Sequence, residues 1–193
     1  MMIMKKIFIA LTLLAGAFVL NSCEDPALSA VYGDTLVYMP QAAHNIGVDN
    51  NLNVTLNKAK VDGNAEHRSQ TTLGIYRSST APKEAFSVDL VVVPDTLAKA
   101  KVSAAEADAP EKFAIYKTAE LLEDSYYEPL PEKLSVVSGE RQATTQLVFH
   151  DKELYEDYPV GQVLCLPVRI ANPTKYQLNE GLAFTMVVVT LGE

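Results

Sequence analysis

The chain has 193 residues, of which 48% are hydrophobic and 21% charged, and its formal net charge is −8. That length supports one domain with a real core and not two full ones, and an acidic surface repels phosphate backbones, which argues against a nucleic-acid partner. Cysteine is confined to Cys23 and Cys165, so once Cys23 is otherwise engaged no intrachain disulfide remains and the fold must rest on its hydrophobic core.

The first two dozen residues read as an export signal. Lys5 and Lys6 form a short positive start, Ile7 to Leu20 are almost wholly apolar, and Leu20-Asn21-Ser22-Cys23 closes the run with a cysteine at the cleavage position. The apolar run is short for a bilayer span, which needs ~20 residues, so a cleaved signal over residues 1–22 is the reading, with Cys23 acylated as the first residue of the mature chain. The alternative is an ordinary signal peptide with a cysteine near its end. Residues 23–30, with Pro26 and small side chains, form an extended tether, and residues 31–193 form the domain.

Strand candidates then follow in quick succession: Thr35 to Met39, Asn53 to Val61, Thr71 to Ser78 and Phe86 to Val93. Each is bounded by Gly, Pro, Asn or Asp. Asn53 to Asn57 and Phe86 to Leu90 alternate polar with apolar residues, as half-buried strands do. The rhythm breaks at Leu97 to Ala107, an Ala-rich segment of good helix propensity that Asp95 or Thr96 can cap, and a second helical turn is predicted at Thr118 to Asp124. Strand signals return at Leu134 to Val137, Gln142 to His150, Val163 to Ile170 and Leu182 to Leu191, with a tight turn at Ser138-Gly139-Glu140. About eight short strands with one helical insertion predict an all-β fold, two antiparallel sheets packed face to face.

Most chemistry fails on spacing. His44, His67 and His150 show no helical or Cys-x-x-Cys partner spacing, so neither a metal nor another cofactor is expected. His150-Asp151 lacks a nucleophile elbow and reads as a solvated strand end, while Asp49-Asn50-Asn51 lacks the acids and distal Glu of a calcium loop and reads as a turn. Carboxylate pairs for glycoside hydrolysis carry no signal when 24 acids make pairs inevitable, and a small sandwich offers little enclosed cleft, so no enzymatic activity is expected. Cys165 sits in an apolar strand-like run and reads as a buried, inert thiol. Aromatic rings remain: Tyr155 and Tyr158, set among charges on a predicted loop, are the candidate ligand-binding pair, against the alternative that they pack on the sandwich end.

The order of motifs from Val88 to Leu191 carries a resemblance. Val88 to Val93 precede the Ala-rich helix; Tyr116 and Leu121-Leu122 lead to Tyr126-Tyr127; Ser138-Gly139-Glu140 precedes Thr144 to Phe149; Leu166 to Ile170 introduce the last hairpin. This resembles the immunoglobulin-like domain of unknown function found in Sus-type outer-membrane lipoproteins and at the N-terminus of family-eighteen glycoside hydrolases. Tyr38 to Ala42 looks like that family's opening strand, whereas Glu123 stands where members usually carry Pro. The resemblance implies an immunoglobulin-like sandwich in which Tyr126 and Tyr127 anchor the insertion to a sheet. Glu193 directly follows the last strand, so no appended catalytic domain is expected.

What the resemblance implies for function is a non-catalytic lipoprotein that assists glycan capture beside an outer-membrane transporter, held by its N-terminal lipid. Glu24-Asp25 after Cys23 looks like the acidic signals for cell-surface display, with the periplasmic face as the alternative. Asp34-Thr35-Leu36 and Asp95-Thr96-Leu97 resemble an O-glycosylation pattern at Thr35 and Thr96. A different class remains open: a structural or adhesive lipoprotein that binds a protein partner through a sheet edge.

Overall fold

The computed structural model describes residues 34–44, 51–78 and 83–193, with the side chains of Ala43 and His44 excepted. Cys23, the signal segment and the tether lie outside the described residues. Asp34–Glu193 forms one compact unit.

Among the described residues, ten strands build two sheets. The chain runs through β1 (Leu36–Tyr38), α1 (Pro40–His44), β2 (Asn51–Asn57), α2 (Lys58–Gly63), β3 (Gln70–Arg77), β4 (Phe86–Val92) and α3 (Asp95–Ala105). Next come a 3-10 turn (Glu111–Lys117), β5 (Glu120–Leu121), a second 3-10 turn (Asp124–Tyr126), β6 (Lys133–Val136), β7 (Gln142–Val148) and α4 (Asp151–Asp157). β8 (Val163–Ala171), β9 (Gln177–Leu178), a last 3-10 turn (Glu180–Leu182) and β10 (Phe184–Gly192) complete it. One sheet has the order β7-β3-β1-β9 and the other β2-β10-β8-β4-β6, with β5 beside β8. The predicted all-β sandwich with a helical insertion is therefore the fold. Pairing is mostly antiparallel, but β1–β9, β2–β10 and β5–β8 run parallel.

Side-chain parity explains the packing. β4 buries Phe86, Val88 and Leu90 while Ser87 and Asp89 stay partly exposed, so its alternation is that of a half-buried strand. β8 and β10 read instead as continuous apolar runs, because both their faces are covered. Leu164, Leu166, Val168 and Ile170 meet Val187, Val189 and Leu191 in the inter-sheet core. On the outer face Cys165, Met186 and Val188 pack under Leu97, Ala104, Tyr116 and Ala119 of the insertion. Tyr116 also donates from its hydroxyl to Asn51 Oδ1 at 2.7 Å, which fastens the insertion to edge strand β2.

Several local expectations are corrected. The strand predicted to reach Val61 stops at Asn57, whose side chain accepts from the Lys60 N–H and starts α2. The stretch read as an opening strand turns helical at Pro40, a residue whose fixed φ suits the first helical position. Thr118 to Asp124, where a helical turn was predicted, instead holds the short strand β5, with 3-10 turns on either side. α3 starts after Pro94 with no side-chain cap, so neither Asp95 nor Thr96 caps it; the Thr96 and Leu97 N–H groups donate to the Val93 and Pro94 carbonyls instead. The tight turn at Ser138-Gly139-Glu140 is present, with Gly139 at φ +93°, where a side chain would be strained.

Candidate functional site

The outer face of the four-stranded sheet is where register places aromatic and polar groups together. In β1 Val37 points into the core, so its neighbour Tyr38 points out; in β3 Ile75 is buried and Tyr76 alternates outward. Tyr38 lies opposite Tyr76, and Tyr76 opposite Gln142 of β7, so the three form one row across three strands. The two rings are tilted at 52° with centroids 5.4 Å apart, and both are half-buried. Burial, with the Tyr76 phenol beside it, holds the Tyr38 hydroxyl above its ordinary value, so it is a neutral hydrogen-bond donor and acceptor.

The next row along β3 lacks a side chain at its centre. Gly74 faces Thr144, and a Cβ on Gly74 would meet the Thr144 methyl at 3.3 Å and Gln41 Nε2 at 3.5 Å. Gln41 uses that space to cross the sheet from α1, donating from Nε2 to the Thr72 carbonyl at 3.0 Å. Beyond it Thr72 and Gln146 bond side chain to side chain. Arg141 Nη1 stands 3.5 Å from the Tyr76 hydroxyl. The amide of Gln142 and the hydroxyl of Thr144, both exposed, make no hydrogen bond with another described residue. The face therefore combines two ring planes with an uncommitted amide and hydroxyl, beside a guanidinium that already contacts the Tyr76 hydroxyl.

The tyrosines singled out from sequence occupy a helix. Asp151–Asp157 forms α4 where a loop was expected, and both rings pack against the core as partly buried groups. Tyr155 donates from its hydroxyl to the Gly192 carbonyl at 2.9 Å. Tyr158 meets Tyr126 edge-on at 5.5 Å, and the Tyr126 hydroxyl donates to Asp157 Oδ2 at 2.8 Å. That bond to the carboxylate holds the Tyr126 phenol well above its usual range. Tyr127 is buried in the inter-sheet core, whereas the insertion packs on its sheet through Leu97, Ala104, Tyr116 and Ala119.

Asp151 corrects another reading. It is fully buried rather than a solvated strand end, and it accepts the Ser69 N–H at 2.9 Å and the Ser69 hydroxyl at 2.6 Å. His67 Nε2 lies 3.4 Å from the same hydroxyl and 3.8 Å from the carboxylate. Because the serine proton goes to the aspartate and not to an imidazole, this cluster is a clasp between β3 and α4 and not a serine nucleophile with its base. His150 Nδ1 faces the Ser125 carbonyl at 2.8 Å, away from this cluster. Cys165 is fully buried, and burial pushes its thiol up to about 12, far from a reactive thiolate. Among the described residues no group of three His, Cys, Asp or Glu converges on a metal position, and no helix is long and apolar enough to cross a membrane.

Tyr38 and Tyr76 both lie in strands predicted from sequence, and their outward parity was readable. Their pairing was not, because register joins residues 38 apart in the chain through an antiparallel alignment that spacing alone does not fix.

Fold and face together define a β-sandwich with one covered and one open outer sheet face. No protein-family model and no curated protein sequence matches the chain. Solved structures do share its fold. A candidate carbohydrate-binding protein from Bacteroides ovatus aligns with a TM-score of 0.53 at 13% identity, over 82% of this chain and 37% of its own. A Bacteroides ovatus protein of unknown function aligns at 0.55 and 16% identity, over 81% and 46%. A Bacteroides ovatus multidomain protein including DUF1735 aligns at 0.52 and 17%, over 81% and 45%. The chain thus spans less than half the length of each of these proteins.

Proposed function

We propose that this chain is a non-catalytic glycan-binding lipoprotein of a Sus-type uptake system, anchored through acylated Cys23 in the outer membrane and displayed at the cell surface. The observation that carries the reading is the Tyr38–Tyr76 pair on the open sheet face, flanked by Gln142, Thr144 and Arg141. A sugar ring presents a C–H face that packs on an aromatic plane and a rim of hydroxyls that need donors and acceptors, and this face supplies both kinds of group. The fold likeness to a candidate carbohydrate-binding protein supports the same class of ligand. No step of bond making is involved.

Contacts on an open face give weak binding, on the order of 10 μM to 1 mM, or roughly 4–7 kcal/mol. Calorimetry of the soluble chain from Asp25 onward against a panel of oligosaccharides tests this. Each ring contributes ~1 kcal/mol beyond burial, so a Tyr38→Ala, Tyr76→Ala double variant should bind at least about tenfold more weakly. A Tyr155→Ala, Tyr158→Ala variant tests the location read from sequence; loss there with retention in the first variant would move the site to α4. Absence of binding to every glycan would favour the structural or adhesive reading.

A further inference from the structure

At one end of the sandwich, the segment from Asp124 to Glu132 crosses between the sheets. Its Glu128 N–H donates to the Val148 carbonyl of β7, and its Glu132 carbonyl accepts from Leu90 N–H of β4. Beneath this strap lies a cavity of about 390 Å³, lined by Leu90, Val92, Tyr127, Pro129 and Leu130, with Asp124, Ser125 and Glu132 adding the polar groups. The volume falls within the range of small-ligand pockets.

Its polar groups point to one kind of occupant. Tyr127 is only 7% exposed, lines the cavity, and gives its hydroxyl no hydrogen-bond partner among the described residues. Burial, with the Asp124 charge next in effect, holds this phenol above its ordinary value, so it stays protonated. The Asp124 and Glu132 side chains are exposed, and neither carboxylate pairs with a cation among the described residues. Lys133, the nearest cation in sequence, is committed to Asp89. Apolar walls behind two carboxylates repel anions, concentrate negative potential and leave room for an aliphatic stem.

We propose that this cavity receives an arginine side chain from a protein partner, its stem against Leu90, Val92 and Leu130 and its guanidinium between Asp124, Glu132 and the Tyr127 hydroxyl. The guanidinium's planar fork of five donors suits two carboxylates and a phenolic oxygen better than an ammonium does. A protein source follows from the place of the cavity: Glu132 immediately precedes β6, the terminal strand of its sheet, so an extended peptide added along that edge would bring a side chain to the cavity mouth. This site is separate from the tyrosine face, and the two proposals stand or fall independently.

Calorimetry of the purified full chain with an acetylated, amidated Ala-Arg-Ala peptide, and with the same peptide carrying neutral citrulline, tests the proposal. The arginine peptide should bind at least tenfold more tightly than the citrulline peptide, and a preference that shrinks as salt is raised is the expected sign of an ionic contact. An Asp124→Asn, Glu132→Gln variant should lose that preference while keeping its melting temperature. Tyr127→Phe, which keeps the ring and removes the hydroxyl, should weaken binding several-fold. Equal binding of the two peptides, a preference that survives in the Asp124→Asn, Glu132→Gln variant, or no heat from either peptide up to 10 mM would overturn it, and so would free agmatine binding as tightly as the peptide, since a protein source would then be unnecessary.

Discussion

Asp151 shows how one buried carboxylate can hold a local structure. It stands at the first position of α4, where negative charge is favoured by the helix dipole, and its two oxygens take both donors of Ser69. Removing the acceptor leaves a part-buried N–H without a partner, whereas removing only the serine hydroxyl leaves the N–H bond in place. Asp151→Ala should therefore cost about 2–4 kcal/mol and Ser69→Ala about 1–2 kcal/mol, with the double variant well short of the sum because the two residues share the interaction. Urea denaturation of the four proteins checks this; additive losses would mean that Asp151 acts through some other contact. The sequence concealed this role because Ser69 lies 82 positions away, and a His-Asp pair at the end of an apolar run carries no mark of burial.

At the scale of elements, the insertion is the clearest case of sequence and structure agreeing. Its Ala-rich helix was legible from propensity, and so was the burial of Cys165, but the reason for both lies in the second apolar layer over β8 and β10. Alternation identified β4 because one of its faces is wet; it could not separate a helix from a loop at Asp151–Asp157, where Leu154 and Tyr155 pack inward among charges. β9, two residues long, and the parallel β2–β10 pairing had no local signal at all, since both depend on where distant segments are brought. If the insertion is a cover rather than a binding element, Leu97→Ala should destabilise the chain by about 2–4 kcal/mol through the cavity it leaves while glycan affinity stays unchanged. Thermal melts beside calorimetry separate the two effects. A variant of native stability that loses binding would make the insertion part of the site.

For the whole molecule, the two outer sheet faces divide the work. The six-stranded sheet hides its apolar outer surface beneath the insertion, while the four-stranded sheet leaves Thr72, Tyr76, Gln142, Thr144 and Gln146 on its outside. On the proposed reading, that asymmetry suits an exported protein that stays folded without a disulfide and still presents a polar, ring-bearing surface. Capture near a transporter, as proposed, also requires that the domain be held at the membrane, and no described helix is long and apolar enough to cross one. On the proposed reading the attachment comes from two acyl chains or more on Cys23, because one chain alone gives marginal, reversible binding. Cys23→Ala should accordingly block acylation and leave the protein in the soluble fraction or held only by an uncleaved signal. Membrane fractionation followed by intact mass measurement distinguishes these: the wild-type chain should carry lipid mass on a polypeptide beginning at Cys23, and a wild-type protein that starts elsewhere or carries no lipid would refute the anchor while leaving the sheet-face site to be judged by its own titrations.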